Sequence, residues 1–181
     1  MKTRHLALIA GTALLATACV SQEERAYYKD GAYIDESAGF KAFADAVTAH
    51  CAPAIEGKQS FAEFEMKGAT RIRLIDDNKI PVVSRDTLPV WQLAEGLVQM
   101  QLDPYDRCEV VAVGLPADTT LEVATNAAKA SGFRDAETSA DGVHRLVSGQ
   151  GTVIELSGPS EAQTPDGRTY TKVTAIVTPG T

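Results

Sequence analysis

Between Val90 and Ala112 the chain alternates apolar and polar residues through three successive runs, and few folds accommodate that pattern. Trp91 and Leu93 enclose Gln92; Val98, Met100 and Leu102 enclose Gln99 and Gln101; Cys108, Val110 and Ala112 follow. Alternation with period two places the apolar side chains of a run on one face of a strand. A two-residue turn at Glu95-Gly96 pairs Leu93 with Val98 and Trp91 with Met100. A second turn over Asp103-Pro104-Tyr105-Asp106-Arg107 pairs Leu102 with Cys108. All three apolar rows then share one sheet face, and a slip of one residue would turn a whole row to water. Such a sheet needs a cover, and Cys108 lies on the face to be covered. The alternation also makes Trp91 a core residue rather than an exposed ligand platform.

The cover is legible upstream. Phe40, Phe43, Val47 and Cys51 recur at spacings of three and four, the spacing of one helical face. Ser37 is the predicted N-cap. Pro53 disfavours helical geometry at Ala52, so the helix is expected to end or kink there, with Cys51 on its buried face in the last turn. Two independent periodicities therefore aim Cys51 and Cys108 at one interface.

The remaining elements are read more coarsely. Ser60-Phe61-Ala62-Glu63 has the form of a capping box and predicts a second helix ending near Gly68. Arg71-Ile72-Arg73-Leu74 alternates like a strand, or continues that helix; Pro81 and Pro89 bracket a loop. A third helix is expected over about 119–131, capped by Asp118 or Thr119, with Gly132 and Phe133 forming a Schellman-type end. Strands follow near 143–148, 152–157 and 169–178, with turns at Asp141-Gly142 and Asp166-Gly167. Their two faces are mixed, so no register follows from them. Helices and strands in this order predict an α+β fold, an antiparallel sheet covered by two or three helices, in a single domain with one disulfide. An apolar fraction of 44% and a charged fraction of 23% are ordinary for a globular chain.

The N-terminus addresses location. Met1-Lys2-Thr3-Arg4-His5 is a short positive start, and Leu6 to Ala18 is almost wholly apolar or small. As a helix that stretch is about 20 Å long, short of a ~30 Å hydrocarbon core, so it reads as a secretory signal rather than a membrane span. Its end, Leu15-Ala16-Thr17-Ala18-Cys19, resembles the lipobox of bacterial lipoproteins. That resemblance implies cleavage before Cys19 and a diacylglycerol on its sulfur. The departure is Ala16, where the motif most often has Leu. Ala16-x-Ala18 also suits the ordinary signal peptidase, which would cut the same bond and leave a soluble protein. The expected organisation is a signal peptide over 1–18, a lipid-anchored tether over 19–35 and a globular domain over 36–181. The tether reading rests on the polar run Gln22-Glu23-Glu24-Arg25, with Tyr27, Tyr28 and Tyr33 available to pack on the domain. By the sorting rule of enteric lipoproteins, Val20 after the cysteine implies the outer membrane.

With Cys19 lipidated, Cys51 and Cys108 remain, and in an oxidising compartment one intramolecular pairing is open to them. The alternatives are two buried free thiols or metal ligands; neither cysteine has neighbours at metal-ligand spacing. The chain also resembles small uncharacterised exported proteobacterial proteins, through the helix from Phe43 to Cys51, the Trp91 to Leu102 hairpin and Cys108-Glu109-Val110. This likeness implies a similar α+β fold and assigns no functional residues.

Chemistry-bearing residues are sparse. The formal charge is −7, and −9 once Lys2 and Arg4 leave with the leader. An acidic surface without a basic cluster excludes general nucleic-acid binding. His5 departs with the leader, leaving His50 and His144. His50 is read as a cation at a helix C-terminus, and His144 as a surface or paired strand residue. Asp76-Asp77-Asn78 lacks the Gly and distal Glu of a calcium loop and reads as a solvated turn. No catalytic set, cofactor or metal is therefore expected. The expected function is that of an exported, membrane-anchored envelope lipoprotein with a non-enzymatic binding or structural domain. Its expected partners are the lipid bilayer, through acylated Cys19, and an envelope protein or ligand. The alternative is a periplasmic inhibitor or immunity protein against a cell-wall hydrolase.

Overall fold

The computed structural model describes residues 28–29, 32–33, 35–60, 70–72, 90–103, 106–136, 142–163 and 169–180. The expected helix over 60–68 beyond Ser60, the loop between the two prolines, the Asp76-Asp77-Asn78 turn, Asp141 of the Asp141-Gly142 turn, the Asp166-Gly167 turn and Cys19 lie outside these residues.

An antiparallel sheet is the frame. It contains β3 (Thr70–Ile72), β4 (Val90–Leu93), β5 (Val98–Asp103), β6 (Arg107–Val113), β7 (Arg134–Asp135), β8 (His144–Val147), β9 (Val153–Gln163) and β10 (Thr169–Thr178). Its order is β3-β4-β5-β6-β10-β9-β8-β7, with every neighbouring pair antiparallel. Two shorter strands, β1 (Tyr28–Lys29) and β2 (Ala32–Tyr33), form a separate hairpin inside the stretch read as tether.

The registers expected from alternation hold residue for residue. Leu93 pairs with Val98 and Trp91 with Met100, while Leu102, Met100 and Val98 pair with Cys108, Val110 and Ala112. The long-range partner of β6 is β10, where Val177, Ala175 and Val173 oppose Cys108, Val110 and Ala112. Ile154 and Leu156 of β9 and Leu146 of β8 extend the same apolar face. Every one of these positions except Leu93 and Leu102 is buried, and those two pack partly buried against the core. Trp91 is a core residue, 2% exposed. The turn between β4 and β5 has the left-handed φ values that a type I′ turn needs at Glu95 (56°) and Gly96 (99°), with Leu97 donating its amide hydrogen to the Ala94 carbonyl.

Of the two outcomes expected at Pro53, the helix does not end there. It comprises α1 (Glu36–Asp45), a π-helical stretch Ala46–Cys51, and α2 (Ala52–Ile55). The π turn widens the backbone ladder just ahead of Pro53, where the ring would otherwise meet a carbonyl one turn earlier. Pro53 then falls in the first turn of α2, a tolerated position. The N-cap is Asp35, not Ser37: its Oδ1 accepts from the Ser37 amide at 2.9 Å and from the Ser37 hydroxyl at 2.6 Å. A carboxylate two residues before a free amide caps better than the following hydroxyl, and Ser37 is recruited as its donor.

The other described helix is α3 (Ala117–Ala130). It starts two residues ahead of the expected cap, directly after Pro116, with the Thr120 amide bonded to the Pro116 carbonyl. Proline's preset φ suits helix entry, so the Thr119/Glu122 box is inside the helix rather than at its mouth. The exit is as expected. Gly132 has φ 93°, Phe133 donates to the Ala128 carbonyl, and Phe133 is buried. The helical segments pack on the apolar sheet face and on each other, in one core that joins Phe43, Val47 and Cys51 to Met100, Val110, Ala124, Ala128 and Leu146.

Glu95 holds a left-handed φ that costs a residue with a Cβ about 1–2 kcal/mol. Replacing it by asparagine, which tolerates that region, is expected to raise unfolding stability by roughly 0.5–1 kcal/mol. A urea midpoint that does not rise would contradict the turn.

Candidate functional site

The expected covalent junction is present. Cys51 and Cys108 form a disulfide with a Cα–Cα distance of 5.5 Å across 57 residues of sequence. Both are fully buried. The π-helical stretch contributes Cys51, the centre of β6 contributes Cys108, and the shared apolar face brings them together. A loop of this length constrains the unfolded chain by about 4 kcal/mol in the chain-entropy model.

His50 sits beside this junction and does not have the expected role. The helix continues through it to Ile55, and His50 is 4% exposed. It is part of the buried interface rather than a solvated cation at a helix end.

His144 is at the centre of the polar array that sequence reading missed. On β8 it shares the core-facing side with Leu146, at the margin of the sheet, where α3 passes over it. Its Nδ1 lies 3.2 Å from Thr125 Oγ1 and its Nε2 lies 2.8 Å from Asp135 Oδ1. Lys129 Nζ is 2.8 Å from the second oxygen of Asp135. One tautomer satisfies every contact: the Thr125 hydroxyl donates to Nδ1 and the Nε2 hydrogen donates to Asp135. Thr125 and Lys129, one helical turn apart on α3, thus grip the β7–β8 edge at two points. The spacing of four was the only signal available in the sequence. Lys129 chiefly, and then His144, hold the Asp135 carboxyl below the usual carboxylate range.

A hydroxyl, an imidazole and a carboxylate in this order have the layout of a hydrolytic triad. Its described surroundings differ from those of such a triad. Thr125 lies in the interior of α3, where neighbouring amides are committed to helical bonds and offer no oxyanion donors. The His144 and Asp135 side chains are 37% and 55% exposed, so water competes with any bound acyl group. Its contacts fasten α3 to the β7–β8 edge.

A second polar knot ties α2 to the β8–β9 turn. Glu56 Oε1 accepts from Thr152 Oγ1 at 3.1 Å and Ser148 Oγ at 3.5 Å, and Oε2 accepts from Lys58 at 2.6 Å. Ser148 in turn accepts from the Gln150 and Thr152 amides. Among the described residues, no group of three or more His, Cys, Asp or Glu side chains is placed to hold a metal ion. Among the same residues, no helix is long and apolar enough to cross a membrane. Comparison with family models, curated proteins and solved structures finds no significant match to this chain.

Two measurements check these junctions. Cys51→Ala/Cys108→Ala is expected to lower unfolding stability by about 4 kcal/mol; a loss below 1 kcal/mol would show that the crosslink contributes little. The Asp135 carboxyl is depressed in the folded state, so its contribution is present above the unfolded value and lost as pH falls through the folded one. The stability gap between wild type and Asp135→Asn should hold steady at neutral pH and close below about pH 4. A gap that persists unchanged at pH 2 would contradict the pairing.

Proposed function

We propose that this chain works as an exported envelope lipoprotein, held to a membrane by acylated Cys19 and facing the periplasm, in the outer membrane by the residue at position 20. Its domain binds a partner or supports the envelope and catalyses no reaction. The observation that carries this reading is the buried Cys51–Cys108 disulfide. Structural disulfides persist in oxidising compartments and are rare in the cytosol. The positive start and apolar run over 1–18 support export, and the lipobox-like Leu15 to Cys19 supports anchoring through the Cys19 sulfur. Three acyl chains, each contributing about 0.8 kcal/mol per buried CH₂, would hold the protein far more firmly than one. The two polar clusters on the domain support the non-enzymatic part, because their side chains are spent on one another and on fastening helices to the sheet.

Cys19→Ala is expected to shift the protein from the membrane pellet to the soluble periplasmic fraction, with its disulfide intact. Continued sedimentation with membranes would overturn the lipid anchor.

A further inference from the structure

The first helix buries one face along α1 and a different face along α2. Phe43 and Val47 are fully buried against the sheet. An α-helix advances by about 100° per residue, so Ala38, nine residues before Val47, stands about 180° from it. Ala38 is exposed, which marks that side as the solvent side. An unbroken α-helix would carry Ala52 to about 140° and Glu56 to about 180° from Val47, on the same solvent side. Yet Ala52 is 3% exposed and belongs to the core, and the Glu56 side chain is 12% exposed. Glu56 Oε1 accepts from the hydroxyl of Thr152, which is itself buried.

The π-helical stretch Ala46–Cys51 accounts for the change of face. At its end the Ala52 amide donates to the Val47 carbonyl, five residues back rather than four. Such a turn holds one residue more than an α turn, so everything beyond it is set back by about 100°. Ala52 then stands about 40° from Val47 and Glu56 about 80° from it, both on the sheet side. Their burial agrees with that count and disagrees with the unbroken helix.

We propose that the π turn is a one-residue shim that closes a latch between the first helix and the β8–β9 turn, with Glu56 as the bolt. Thr152 and Ser148 supply hydroxyls to one carboxylate oxygen, and Lys58 supplies its ammonium to the other. Hydrogen bonds to a charged group are among the stronger ones, and the partners of a half-buried carboxylate keep it from being stranded. Pro53 holds the shim in place, because in an α register its ring would meet the carbonyl four residues back. An α register over the same residues would swing the carboxylate to the solvent side and open the latch.

A double-mutant cycle in three helix registers tests this. Glu56→Gln and Thr152→Val are combined in the whole protein and read as changes in the unfolding equilibrium constant. In the native register the two are expected to be coupled about tenfold. One alanine inserted between Ala49 and His50 carries Glu56 on by about 100°, and the coupling should fall to within about twofold of additivity. Deleting Ala49 together with Pro53→Ala leaves a plain α-helix with Glu56 at its native angle, and the coupling should stay near tenfold. Additivity in the native register, coupling that survives the insertion, or coupling lost on the deletion would each overturn the shim. If the shortened chain does not fold, the native protein decides by NMR. A coupling through the hydrogen bond from the Ala52 nitrogen to the Val47 carbonyl carbon is expected, and one to the Thr48 carbonyl carbon instead would overturn the proposal.

Discussion

The contact on which the rest of the molecule depends is the face where the first helix crosses β5 and β6. Phe43 and Val47 meet Met100 and Val110 there, and the Cys51–Cys108 bond closes the layer covalently. Burying large apolar side chains contributes roughly 1.5–3 kcal/mol each. That gain holds only while the helix keeps its rotation over the sheet. The π-helical turn matters for this reason. It resets the helix face within one turn, so that Cys51 reaches the sheet and the chain still passes Pro53 without leaving helical geometry.

Much of this layer was legible in the amino-acid order, for a definite reason. Strand periodicity has no slack: two residues per repeat make the pairing of Trp91 with Met100 and of Leu102 with Cys108 follow from which residues are apolar. Helix ends are softer. Pro53 read alone ends or kinks a helix, but a wider turn before it absorbs the ring, and only the three-dimensional ladder reveals that. The β6–β10 pairing was not legible because it joins residues 59 to 69 positions apart, and because β9 and β10 carry mixed residues on both faces. The His144 array was hidden for a related reason. Thr125, Asp135 and His144 come from three elements, and their meeting depends on how α3 lies across the sheet.

The described elements fall into two similar halves. A helix precedes a four-strand meander, β3 to β6, and a second helix precedes another, β7 to β10. The halves join through their last strands, β6 and β10, so both helices lie on the same face and touch each other. No internal repeat is visible in the sequence, and the halves are fastened differently. The first uses a disulfide; the second uses hydrogen bonds and an ion pair among Thr125, His144, Asp135 and Lys129. Covalent closure is insensitive to acid, whereas the Asp135 pairing is lost once its carboxyl is protonated. Acid should therefore loosen the second half first.

Among the described residues, the outermost strands of the sheet are also its shortest: three residues in β3 and two in β7. A long, flat margin offers a row of unsatisfied amides and carbonyls to any neighbouring copy. Stubs of two or three residues cannot template a stable cross-chain ladder. Among the described residues, the two rims thus offer little backbone to a neighbouring copy, a restraint set by strand length.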